Sequence, residues 1–171
     1  DPVGPRTGDV PNDPISLIRW LDLFWTTFVT RGAFFASLAA DQTALTAGSF
    51  NQVKVDTEAF DKNSWLDVTT NVGRYNPKIS GVYSFSGCVR AMGIVGDSPI
   101  AALYKNGTRT ITGSYPGTGA AASTFSVVTG LILMNGTTDY VELYGYLPAA
   151  ITTIDGGQLY YTNFQGHRAT A

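Results

Sequence analysis

The sequence predicts an all-β domain, a sandwich or barrel of about ten short strands, preceded by one short helix. Three observations lead there. Beyond Gly32 the chain breaks into β-rich runs bounded by Gly, Asn, Asp and Pro clusters. Several runs alternate in polarity. In "GVYSFSGCV", Tyr83, Phe85 and Val89 share one face, while Ser84, Ser86 and Cys88 share the other. Finally, no further stretch of helical period follows Gly32.

Composition narrows the functional classes. The 171 residues suffice for one domain with a full core and a short appendage. Charged residues make up 14%, against the roughly 25% usual in soluble domains. So much of the surface is either covered by a partner or made polar by Ser, Thr, Asn and Gly. The net charge of −2 provides no basic field for nucleic acid or an anionic membrane. A single cysteine, Cys88, rules out an internal disulfide. The most apolar stretch, "ISLIRWLDLFWTTFVTRG", is interrupted by Arg19 and Asp22, which argues against a membrane span.

Residues 1–32 read as an attachment segment. "DPVGPRTGDVPND" holds three prolines and no apolar period, an extended arm ordered against a partner. Asp13 can cap a helix, Pro14 fits its first turn and Gly32 can end it. Leu17, Leu21, Phe24 and Phe28 recur at spacings of 4, 3 and 4, a heptad seam, with Ile18, Trp25 and Val29 alongside. So wide an apolar face calls for burial: against the chain's own domain, in a short bundle of copies, or on another protein.

Candidate strands then follow in order: 33–39, 50–56, 64–68, 73–79, 81–92, 100–106, 108–113, 123–135, 139–147 and 157–167. Asn106-Gly107 and Asn135-Gly136 lie between strand-like runs, where both residue types tolerate the positive φ of a tight turn. Both also fit the Asn-x-Thr glycan pattern, but the flanking strands require turns in any case.

In this order the pieces are identified as a C1q-like domain of the complement/tumour-necrosis-factor jelly-roll superfamily, over residues 33–171. "AFFASL" resembles the family's first strand. "VKVDTEAFDKNSWLDVTTNVGRYNPKISGVYSFSG" resembles its central signature: a phenylalanine and acidic loop, a Gly-Arg-Tyr strand with proline, then Gly-x-Tyr-x-Phe. "LYKNGT" matches its Lys-Asn-Gly hairpin, and "YYTNFQGH" its closing strand. "DTEAFD", "GRYNPKISGVYSFSG" and "MNGTTDYVELYGY" are most similar to the versions in tailed-phage fibre, tail and head-decoration proteins. The resemblance implies a homotrimer of two-sheet jelly rolls around a threefold axis, on a virion surface or tail, with an extracellular C1q-like recognition module as the alternative. If Phe85, Phe164 and Phe34 fill the sandwich, alternation turns Phe35, Ser84, Cys88, Tyr161 and Asn163 toward neighbouring copies.

Catalytic chemistry finds no support in the residues. His167 is the only histidine, next to Arg168 near the chain end, and reads as a solvated terminal side chain. "GSYPGTGAAAS" lacks the lysine and following helix of a phosphate loop. Asp56, Glu58, Asp61 and Asp67 cluster, and some relatives hold calcium. The spacing matches no calcium loop, so no cofactor is expected and these read as solvated turn acids, with a bound calcium ion as the alternative. The loop 112–123, with Ser114, Tyr115 and Pro116, is a candidate recognition tip for bacterial surface carbohydrate or protein, with a passive connector as its alternative. The expectation is therefore a non-enzymatic virion protein, attached through residues 1–32, that assembles with itself and with other virion proteins.

Overall fold

The computed structural model describes residues 15–16, 18–19, 32–92, 98–114 and 123–169. The chain divides into two units, Asp1–Arg31 with Ala171, and Gly32–Thr170. In the first, Ile15, Ser16, Ile18 and Arg19 are helical, with both isoleucines exposed. Leu17, Leu21, Phe24, Trp25 and Phe28 lie outside the described residues, as do Tyr115 and Pro116.

Among its described residues the second unit carries eleven strands: β1 (Ala33–Ser37), β2 (Ser49–Gln52), β3 (Thr57–Asp61), β4 (Leu66–Asp67), β5 (Arg74–Tyr75), β6 (Gly81–Met92), β7 (Ile100–Lys105), β8 (Thr108–Thr112), β9 (Ser123–Met134), β10 (Val141–Leu147) and β11 (Asn163–Arg168). They form two antiparallel sheets. One runs β3-β1-β11-β6-β9, the other β4-β5-β10-β7-β8, with β2 pairing a further stretch of β10. The longest ladder joins β6 to β9, from Gly81 opposite Met134 to Met92 opposite Ser123.

The inward faces make the core. Phe34, Tyr75, Tyr83, Phe85 and Phe164 are all at most 1% exposed. Phe34 stacks on Tyr75 at 4.2 Å and meets Phe164 edge-on at 4.9 Å, while Phe85 stacks on Phe164 at 5.9 Å. Each large apolar side chain buried in this way contributes about 1.5–3 kcal/mol. Burial pushes the Tyr75 phenol well above its ordinary range, so it stays neutral. Ser126 of β9 stitches the sheets together: its Oγ receives the Ala101 N–H at 2.9 Å and donates to the Ser114 carbonyl at 2.9 Å.

Several expectations are corrected. The "phenylalanine and acidic loop" is in part a strand: β3 pairs with β1, setting Phe60 opposite Phe35. The closing strand starts at Asn163 rather than residue 157, because Leu159–Tyr161 lie in a turn. His167 is exposed, but it belongs to a strand, between Ala33 of β1 and Ser84 of β6, and is no tail residue. The two Asn-Gly turns also differ. Asn106 (φ 51°) and Gly107 (φ 76°) both adopt positive φ and close the β7–β8 hairpin. Asn135-Gly136 joins β9 to β10, which lie in different sheets, so it is a crossover and not a hairpin.

Candidate functional site

The outer face of the five-stranded sheet brings the predicted interface residues together. The register lays them out in rows. Phe60, Phe35, Gln165, Ser86 and Thr129 form one, crossing β3, β1, β11, β6 and β9. The neighbouring rows run Asn163, Cys88, Val127 on one side and His167, Ser84, Leu131 on the other. Phe35, Ser84, Cys88 and Asn163 are each half-buried there. Tyr161 sits at the border, outside β11, and reaches the face through Arg90, whose guanidinium carbon lies 3.7 Å from the centre of its ring.

β9 supplies what the sequence reading missed. Its outward side chains Phe125, Val127, Leu131 and Leu133 are 42%, 53%, 65% and 67% exposed, and Phe60 at the opposite edge is 50% exposed. The signal was present in "STFSVVTGLILM": with Val128, Ile132 and Met134 already buried, Leu131 and Leu133 must point outward. β9 is therefore apolar on both faces, one inside the core and one exposed as a contiguous stripe.

Charge is nearly absent from this face. Among the described outward side chains of β6, β9 and β11, Arg90 alone is formally charged. It lies between the rings of Tyr161 and Phe125, 5.5 Å from the latter, and its Nε is 3.5 Å from the Asp155 carboxylate. That is an ion pair without hydrogen-bond geometry, since both atoms lack a hydrogen-bond partner. Burial pushes the Asp155 carboxyl up, with Arg90 opposing and Asp41 adding to the rise. A depression of about 370 Å³ lies on the same face, between Phe60, Ser84, Ser86 and His167.

The reactive groups are tied up elsewhere. Burial raises the Cys88 thiol, which disfavours the thiolate a nucleophile needs, and His167 pairs with Ser84 rather than Cys88. The acidic residues hold backbone turns. Asp61 accepts from the Leu66 and Asn63 N–H groups at 2.7 and 3.1 Å, and Asp56 from the Ala39 N–H at 2.8 Å. Asp67 accepts from the Thr69, Thr70 and Asn71 N–H groups, which hold its carboxyl well below the usual range. Among the described residues no group of three or more His, Cys, Asp or Glu is placed to hold a metal ion. Ser114 of the candidate recognition loop is exposed, its carbonyl taken by Ser126.

Solved structures share this layout. Murine APRIL matches with a TM-score of 0.61 and 8% identity, over 81% of this chain and 98% of its own. The PRD1 vertex protein P5 matches with a TM-score of 0.55 and 12% identity, over 82% and 98%. The fold is a tumour-necrosis-factor-like jelly roll. Eiger TNF from S. frugiperda agrees, with a TM-score of 0.53 and 10% identity over 82% of this chain and 92% of its own. At these identities the likeness concerns the fold alone. No protein-family model and no curated protein matches the sequence.

Proposed function

We propose that the chain is a non-enzymatic virion structural protein: a homotrimer of jelly-roll heads, on a particle surface or tail, packed through the outer face of the five-stranded sheet. Residues 1–32 attach it to neighbouring virion proteins, and the head is left for assembly and adhesion to the host surface. The observation that carries this reading is the outer face itself. Phe60, Phe125, Val127, Leu131 and Leu133 lie exposed on one outer face, whose strands β6, β9 and β11 turn a single formal charge outward among the described side chains, the composition of a surface that another copy covers. The shallow depression beside His167 gives a neighbour's side chain a place to seat. The jelly roll shared with the phage vertex protein P5 supports a place on a particle.

Removing residues 1–31 tests the attachment role. The expected result is a head that still self-associates but no longer enters particles; unchanged incorporation contradicts it. A second reading, a secreted C1q-like recognition module, is favoured by the likeness to the tumour-necrosis-factor proteins APRIL and Eiger. Recovery of the chain from culture medium, free of particles, would select that reading.

A further inference from the structure

A groove of about 740 Å³ opens beside the six-stranded sheet, between residues 64–78, which carry β4 and β5, and the turn that leads into β10. Its size is that of a small-ligand site. Two half-buried aromatic side chains, Trp65 and Tyr140, stand in its lining. Both are held in place. Trp65 packs edge-on against Tyr75, ring centres 6.2 Å apart. Tyr140 lies under Arg74, whose guanidinium carbon is 3.7 Å from the ring centre and whose Nε donates to Glu142 at 2.9 Å. Rings fixed before a ligand arrives lose little freedom on binding.

The polar lining is mostly hydroxyl and amide, with the Asp67 carboxylate, the Arg74 guanidinium and the Lys78 ammonium among them. Thr137 and Asn71 are exposed there, and Lys78 makes no ion pair among the described residues. The charges nearly balance: Arg74 is paired with Glu142 just outside the groove, and the lining's other charges are one cation, Lys78, and one anion, Asp67, whose carboxylate is already hydrogen-bonded to three N–H groups. The large exposed aliphatic and phenylalanine side chains of the strands lie on the other sheet. Fixed rings, hydroxyl and amide partners, and little net charge suit a sugar, whose C–H face stacks on an aromatic ring while its hydroxyls exchange hydrogen bonds. Outward along β10 beyond Glu142 come Tyr144 and Tyr146. Tyr104 stacks on Tyr144 at 3.8 Å, and Phe50 lies 5.4 Å from Tyr146. An aromatic strip thus continues from the groove across the sheet.

We propose that this groove binds a neutral oligosaccharide, with Trp65 and Tyr140 as stacking platforms and Lys78, Asn71 and Thr137 as hydroxyl partners. Longer chains run on over Tyr144. The site lies within one chain and rests on neither the trimer nor the virion location.

The test uses the full chain and a panel of immobilised neutral glucose-, galactose-, mannose- and N-acetylglucosamine-based oligosaccharides, beside uronic-acid counterparts. The best binder is then titrated in solution by calorimetry. The expected result is binding to at least one neutral series. Tyr140→Ala should weaken it by about tenfold or more, and Lys78→Ala by several-fold. Tyr144→Ala should weaken only the longer members, and Lys62→Ala, at an exposed position outside the groove, should leave affinity unchanged. If Tyr140→Ala fails to fold, Lys78→Ala and Thr137→Val, both at exposed positions, carry the test. No binding to any neutral series, binding to uronic acids alone, or affinity indifferent to the groove variants would overturn the proposal.

Discussion

Asp139 ties the two "NGT" segments together. It is 7% exposed and accepts from Lys105 Nζ at 2.8 Å, Asn106 Nδ2 at 2.7 Å and the Asn135 N–H at 2.9 Å. Asn106 Oδ1 in turn receives the Tyr140 N–H, and Asn135 Oδ1 the N–H groups of Thr137, Thr138 and Asp139. Each asparagine side chain is thus part of the fold. The Lys105 hydrogen bond, followed by that of Asn106, holds the Asp139 carboxyl below the usual carboxylate range. A depressed folded-state value stabilises above the unfolded value of about 3.9, and that stability is lost as pH falls through the folded value. Asp139→Asn should therefore cost about 2 kcal/mol at neutral pH, and the gap from wild type should shrink near pH ~3. Urea unfolding at both pH values reads this; a gap independent of pH would refute the electrostatic account. Two glycines separate conformation from space. Gly48 (φ 70°) has nothing within 4 Å of an added Cβ, so Gly48→Ala should cost about 1 kcal/mol. Gly136 (φ 73°) would drive a Cβ into the Ser80 and Ile79 backbone, so Gly136→Ala should cost clearly more by the same assay.

At the scale of the element, β9 decides the most. Its inward residues Val128, Ile132 and Met134 hold the core, and its outward residues Phe125, Val127, Leu131 and Leu133 are exposed. Val127→Asp with Leu131→Asp should leave the head folded by circular dichroism, since both side chains point away from the core, while abolishing self-association. Loss of folding instead would mean that the stripe serves the monomer. Phe34→Ala, at the centre of the aromatic cluster, should cost about 3–5 kcal/mol in thermal or urea unfolding. These two strand types also mark what the sequence could disclose. β6 was legible to the residue, because Tyr83, Phe85, Val89 and Ala91 share one parity, interrupted only by Gly87, and all four are buried. β3 was not: "TEAFD" has one large apolar residue, Phe60, and it faces outward, so no alternation marks the strand. The outward stripe of β9 was hidden because "LILM" reads as one apolar run, and parity emerges only once the inner face is known. Tyr161 was assigned to the strand that follows it, since nothing local marks where the turn ends. The groove at Trp65 and Tyr140 joins segments far apart in the chain, and only the pairing of β5 with β10 brings them together.

Over the whole molecule, the two sheets present opposite chemistry. On its outer face the five-stranded sheet shows aliphatic and aromatic side chains, with one formal charge on β6, β9 and β11 among the described residues; the six-stranded sheet shows tyrosines, charges of both signs and a polar groove. As proposed, the first is given to copies of the chain and the second to solvent and a hydroxyl-rich ligand. The low charge content read from composition thus shows itself on the outward face of β6, β9 and β11, where Arg90 is the one formal charge among the described side chains. The most direct test of that division is the mass of the purified full chain at micromolar concentration, by sedimentation velocity or light scattering. Permanent self-association through this sheet predicts a species of three times the 18.2 kDa chain, reduced to the single chain by Val127→Asp with Leu131→Asp. A wild-type protein that stays a monomer at that concentration would contradict it.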